Sequence, residues 1–315
     1  MKMQRLALAA AGIGMVAATV ASIPASAAGQ GDPSSYTKTA KARTSAAPHT
    51  KAAAAACDTW VGFNTPTPGI NSTVVTAPRT VDELGEFGFV GIRSSASWYA
   101  AENASGSQLY LYGLFLQGGS LYRHVTYLTD SGERPTYKKV GSGWTSFKTI
   151  ATSNYSVAKP AHSYLYGLNT NGNLYRYSQT AGVFRSLGYF PGFKSFKAMT
   201  VVAENASYDT LLMTTNAGAL WTVRIPTAAS TKPALKLVRS SGFGAYESLI
   251  AYGCGTRGGS LVTGVDNDTD SGTQYAMSKF TGSTTAITNY GKIATVFPGT
   301  TAFSITDHYA QLVGE

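Results

Sequence analysis

Three aromatic residues in turns and two tyrosine–arginine pairs carry most of the binding chemistry in this sequence. Residues 140–148 read VGSGWTSFK and contain Trp144. Phe193 and Phe243 take its place in the related stretches 191–197 and 241–247. Tyr122-Arg123 and Tyr175-Arg176 each follow a turn in an alternating run. An aromatic face beside hydroxyl, amide and guanidinium groups suits a saturated ring rich in hydroxyls. The ring's C–H face stacks on the aromatic, and the polar side chains take its hydroxyls. Packing between structural units is the alternative for the three turn aromatics, and plain solvation the alternative for the two arginines.

Other chemistries find less support. Asp266 to Gly272 reads DNDTDSG, and its alternate oxygens could converge on a hard cation. Its glycine falls one position late for a calcium loop, however, and Met277 stands where a bidentate Glu would be needed. A polar hairpin turn is the better reading, and no metal or other cofactor is expected. His49, His124, His162 and His308 have no motif partner, and there is no G-x-S-x-G, H-E-x-x-H or Gly-rich phosphate loop. Glycoside hydrolysis would need paired carboxylates. Glu102, Glu204 and Glu247 are the candidates, but they sit in repeated or peripheral positions, so a non-enzymatic protein is expected. Asn71, Asn103, Asn154, Asn205 and Asn267 head N-x-S/T sequences and read as unmodified turn residues.

The elements that must position these residues repeat. Ala101 to Ser105 recurs word for word at Ala203 to Ser207, 102 residues on. Glycines that lead the turn stretches fall at 91, 143, 192, 242 and 291, a spacing of 49 to 52 residues. A second feature keeps step: residues 164–177 (YLYGLNTNGNLYRY) form two alternating runs about an Asn-Gly turn, a hairpin signal. Its counterparts are 109–124, 211–223 and, in degenerate form, 261–265 with 275–280. Each unit thus reads as four short strands, and Val81 to Phe87 is the one short helical candidate. Four-stranded repeats of this length predict an all-β, five-bladed β-propeller over 57–315. The stretch before Gly91 then has to supply strands that close the ring.

The VGSGWTSFK turn, with the YLYGL and LYRY runs after it, resembles the tachylectin-2 family. The resemblance covers about 101–253 and lies in the repeat. It implies a propeller lectin that binds N-acetylated amino sugars at sites around the ring; with the chemistry of Trp144, Phe193, Phe243, Tyr122, Arg123, Tyr175 and Arg176, it predicts shallow sites for cell-surface or cell-wall glycans. The family's D-N-W stretch ahead of the turn is absent, and the last unit has neither Trp nor Phe at the expected place. The chain's look also resembles secreted proteins of filamentous actinobacteria. That implies an alternative: a targeting subunit docking a partner protein in a secreted antibacterial toxin particle.

The N-terminus predicts export. Lys2 and Arg5 precede an apolar run from Leu6 to Val20 and an Ala25-Ser26-Ala27 cleavage pattern, so 1–27 reads as a signal peptide. Residues 28–56 are rich in Ala, Thr and Lys and read as a disordered tether. These two segments hold five of the nine net positive charges, which leaves +4 for the rest. That balance predicts no nucleic-acid footprint, and no later run is long enough to span a membrane. In a secreted, extracellular protein, Cys57 and Cys254 favour a disulfide, with free thiols or a bridge to a partner chain as alternatives.

Overall fold

The computed structural model describes residues 57–64, 70–77, 80–87, 91–102, 109–129, 132–156, 158–228, 232–254, 258–299, 301–307 and 312. The expected signal peptide and tether lie outside them, as do His49 and His308. The described chain is strand throughout, with no helix among the described residues.

Among the described residues, twenty-one strands make five blades. Blade I holds β4 (Ile92–Ser95), β5 (Trp98–Glu102), β6 (Leu109–Gln117), β7 (Ser120–Thr129) and β8 (Gly132–Ser142). Blade II holds β9 (Phe147–Tyr155), β10 (His162–Asn169), β11 (Leu174–Thr180) and β12 (Val183–Phe190). Blade III holds β13 (Phe196–Glu204), β14 (Tyr208–Thr215), β15 (Leu220–Pro226) and β16 (Ala234–Arg239). Blade IV holds β17 (Ser248–Gly253), β18 (Ser260–Asp266), β19 (Ser271–Ser278) and β20 (Ala286–Val296). Blade V is composite: β21 (Ala302–Asp307) is its inner strand, and β1 (Asp58–Asn64), β2 (Ile70–Thr76) and β3 (Thr80–Phe87) follow outward. Within every blade the strands pair antiparallel. The inner strands touch in the order β4, β9, β13, β17, β21 and back to β4, which closes the ring. Val81 to Phe87, the helical candidate, is part of β3. Its pairing with β2, from Val75↔Val81 to Ile70↔Phe87, outweighs a weak local preference.

The alternating pattern becomes five clusters of apolar side chains, several of which run from one blade into the next. The second strand of four blades carries a glycine against an aromatic on, or just before, the inner strand: Gly113 on Trp98, Gly167 on Phe147, Gly264 on Tyr246 and Gly62 on Phe303. A Cβ at Gly167 would stand 2.7 Å from the Phe147 ring, so the side chain is omitted where the ring needs the volume. Blade III has Met213 at this place.

The leading glycines at 91, 143, 192, 242 and 291 all adopt positive φ, which a Cβ would oppose. Four of them lie at blade entries; the fifth does not. Gly291 sits inside β20 beside a bulge, opposite Gln274. The entry to the closing blade lies further on, at Phe297. Its N–H donates to the Asp270 carbonyl, as those of Trp144, Phe193 and Phe243 donate to Gly119, Gly172 and Gly218. The bulged, eleven-residue β20 lengthens this unit and displaces its turn. The last unit therefore does have its aromatic.

Cys57 and Cys254 form a disulfide, with Cα atoms 5.4 Å apart. It joins the residue before β1 in blade V to the residue after β17 in blade IV, and so crosses the seam beside the closing blade.

Candidate functional site

The turn aromatics are interior. Trp144 is 5% exposed, Phe193 1% and Phe243 6%. Trp144 packs on Phe147 and Tyr177, Phe193 on Phe196, and Phe243 on Tyr246 and Tyr275. None of the three presents an open ring face. The reason is topological: each follows a turn whose backbone is bonded to a hairpin of the blade before it, and that bond drives the ring inward between layers.

The arginines also reach between blades. Arg176 is 1% exposed, and its guanidinium donates to the Pro226 carbonyl of blade III at 2.6 Å while lying over the Tyr164 and Phe190 rings. Arg123 of blade I lies against Gly182 in the outer hairpin of blade II. A charge-assisted bond to a carbonyl of the next blade, with an aromatic underneath, is a structural use of a guanidinium.

The tyrosines of the two pairs behave differently. Tyr175 is half-buried on β11 and sits at the centre of a ring cluster. Phe147 lies 5.3 Å from it on the core side, Tyr177 is stacked at 6.3 Å, and Tyr189 of β12 lies 5.3 Å away on the outer side. Tyr189 is 55% exposed. Blade I holds a related arrangement: Tyr122 stacks on Phe115 and meets Tyr137 of β8 edge-on, and Tyr137 is 61% exposed. The outer strands thus carry wet aromatic faces backed by half-buried ones. Tyr137 and Tyr189 were not singled out in the sequence, because neither belongs to a repeated motif.

A second site lies buried between blades II and III. Asp209 accepts bonds from Ser153 Oγ at 2.6 Å and Tyr166 OH at 2.6 Å, and pairs with His162 Nε2 at 2.9 Å. Beside it Glu204 accepts the Asn154 N–H at 2.9 Å. Desolvation, then the charge of Asp209, pushes the Glu204 carboxyl up to about 8, so it is protonated at neutral pH. The same two causes, with the bond to Asp209, raise the Tyr166 phenol well above its ordinary range. Ser153, His162 and Asp209 do not form a relay. Serine and histidine both bond to the aspartate, and His162 is stacked between Tyr155 and Tyr164.

Glu247 and Asp266 are engaged as well. Glu247 pairs with Lys197 at 2.8 Å and accepts the Asn267 N–H. Asp266 takes the N–H groups of Asp268 and Thr269 within its own turn. Among the described residues no three His, Cys, Asp or Glu side chains group as a metal site. Nor is any helix there long and apolar enough to cross a membrane.

No family model matches the chain, and no curated protein matches it in sequence. Solved structures resemble it at low similarity. The catalytic domain of a GH62 α-L-arabinofuranosidase from Coprinopsis cinerea is 12% identical, with a TM-score of 0.43 over 67% of this chain and 73% of that one. The α-L-arabinofuranosidase PaAbf62A from Podospora anserina, in complex with cellotriose, is 12% identical, with a TM-score of 0.42 over 68% and 73%. The SapL1 lectin bound to α-methyl fucoside is 10% identical, with a TM-score of 0.37 over 74% and 79%. Similarity of this order assigns neither family nor activity.

Proposed function

We propose that this chain is an extracellular carbohydrate-binding protein that holds glycans without transforming them. The observation that carries this reading is the exposed Tyr189 ring backed by half-buried Tyr175. Together they form a rigid aromatic step on an outer strand, with Tyr137 and Tyr122 as the related pair in blade I. Such a step offers a pyranose an apolar face at little cost in side-chain entropy. The repeat resemblance to the tachylectin-2 family favours N-acetylated amino sugars as ligands. Weak sites on separate blades would add by avidity on a polyvalent surface. The disulfide agrees with an oxidising compartment. The absence of catalysis is part of the proposal, and it rests on Glu204 and Glu247 being committed to protein partners.

The test is a glycan array with the purified chain, disulfide intact, repeated with Tyr189→Ala. Binding to N-acetylated amino sugars that the free sugar competes away, and that the variant loses, is the expected result. A blank array from folded protein overturns it.

One observation favours docking to a partner protein as a second reading. Strand β12 is an outer strand with Val183, Leu187 and Tyr189 all exposed, and unpaired strand edges are templates for another chain.

A further inference from the structure

The five inner strands enclose an axial pocket of about 70 Å³, lined by residues from all five blades. Its mouth is built in a regular way. Arg93 of blade I donates to the Gly118 carbonyl of its own blade, and to those of Trp144 and Phe147 at the entry of blade II. Lys148 of blade II donates to the Lys194 and Phe196 carbonyls at the entry of blade III. Lys197 of blade III donates to Gly244 at the entry of blade IV and pairs with Glu247. Three cations and one carboxylate therefore stand at the start of successive inner strands, a net charge of +2 around one opening.

The pocket is richer in donors than in acceptors. Each ammonium has three N–H groups, and Lys148 and Lys197 each use two on protein atoms. The guanidinium has five, and Arg93 uses three. Deeper in, Ser94 Oγ accepts the Ile150 N–H and Ser248 Oγ accepts the Ala302 N–H, so both hydroxyls keep a proton to donate. Both oxygens of Glu247, the one carboxylate in the lining, are already bonded.

The geometry points to a binding site for a small oxyanion, a phosphate or carboxylate group, seated on the propeller axis between Arg93, Lys148, Lys197, Ser94 and Ser248. An oxyanion supplies the acceptors and the negative charge that this lining lacks, and charge-assisted bonds in a partly enclosed pocket are the stronger kind. The site is separate from the tyrosine step on the outer strands and stands whether or not that step binds sugar.

The experiment is a titration of the isotope-labelled chain with inorganic phosphate, and separately with acetate, against chloride at matched ionic strength. Backbone and side-chain NMR shifts are followed throughout. Saturable shifts at Ser94, Ser248 and the three cations are expected, with phosphate or acetate or both; which one responds identifies the group the site prefers. Lys148→Met keeps the aliphatic stem and leaves the Lys197–Glu247 pair in place, and Ser248→Ala removes a donor from the opposite wall. Each is expected to weaken binding by about tenfold. Should Lys148→Met fail to fold, Ser248→Ala and a phosphate-soaked crystal of the unaltered protein carry the test. The proposal falls if the axial residues show no saturable shift, because the pocket then holds water alone. It falls equally if exposed Lys236 and Lys292 shift in parallel with them in wild type and variants, because the effect is then non-specific screening.

Discussion

Glu204 and Asp209 face each other across the turn between β13 and β14, directly paired in register, and both side chains are buried. Two carboxyls so placed cannot both ionise cheaply. Asp209 accepts bonds from Ser153 and Tyr166 and pairs with His162, while desolvation and then the charge of Asp209 hold the proton on Glu204.

That division predicts a stability slope. The Glu204 carboxyl rises from 4.5 to about 8 on folding, so its contribution is complete below pH 4.5 and is lost as pH climbs toward 8. Denaturant melts across this range should show wild type losing on the order of a few kcal/mol from this group, with Glu204→Gln markedly flatter. Parallel slopes would mean that Glu204 is ionised in the fold.

The acid side has a different source. His124 is buried against Trp98, with ring centroids 4.1 Å apart, and desolvation lowers its pKa from 6.5 to about 3. It therefore stabilises the fold above pH 6.5, and that contribution fades as pH falls toward 3. Acid unfolding of His124→Phe should begin at lower pH than that of wild type; an unchanged midpoint would show that another group drives it.

Trp144→Ala and Tyr189→Ala should part company. The first empties a site in the apolar core and should cost about 3–5 kcal/mol in a urea melt. The second removes an exposed ring and should stay within about 1 kcal/mol of wild type while glycan binding is lost. If Trp144→Ala proves as stable as wild type, its interior placement is wrong.

Opening the Cys57–Cys254 bridge with the paired serine variant should lower stability by up to about 5 kcal/mol. The chain-entropy argument gives that figure for a closure of 197 residues. Thermal melts of the oxidised, reduced and double-serine proteins check it; identical midpoints would mean that the seam holds without the bond.

The repeat was legible because its punctuation is chemically demanding. Positive-φ glycines and an Asn-Gly hairpin leave few choices of residue, so the period of about 50 residues and the five blades could be read from them. The fifth mark was misplaced because Gly291 satisfies the same local rule inside a bulge, whereas the true entry at Phe297 has no glycine before it. The destiny of Trp144 was not readable, because its burial depends on a hairpin in the preceding blade. Asp209 escaped notice for a related reason: Ser153, Tyr166 and His162 come from a different blade, more than 40 residues away in sequence. Tyr189 carries no motif and becomes visible only when β12 is seen to be an outer strand.

The composite blade also sets a timetable. β21 pairs with β1 on one side and, in parallel, with β5 on the other, so it is the strand that turns an open arc into a circle. On the ribosome it is also the last of the described strands to be made. Blades I to IV can assemble from neighbouring hairpins as the chain emerges, but β1 must wait for a partner more than 200 residues downstream. Such a pairing is slow to find. Loss of β21 would thus do more damage than its six residues suggest, leaving β1 without its inner neighbour and exposing Trp98 where Phe303 should cover it.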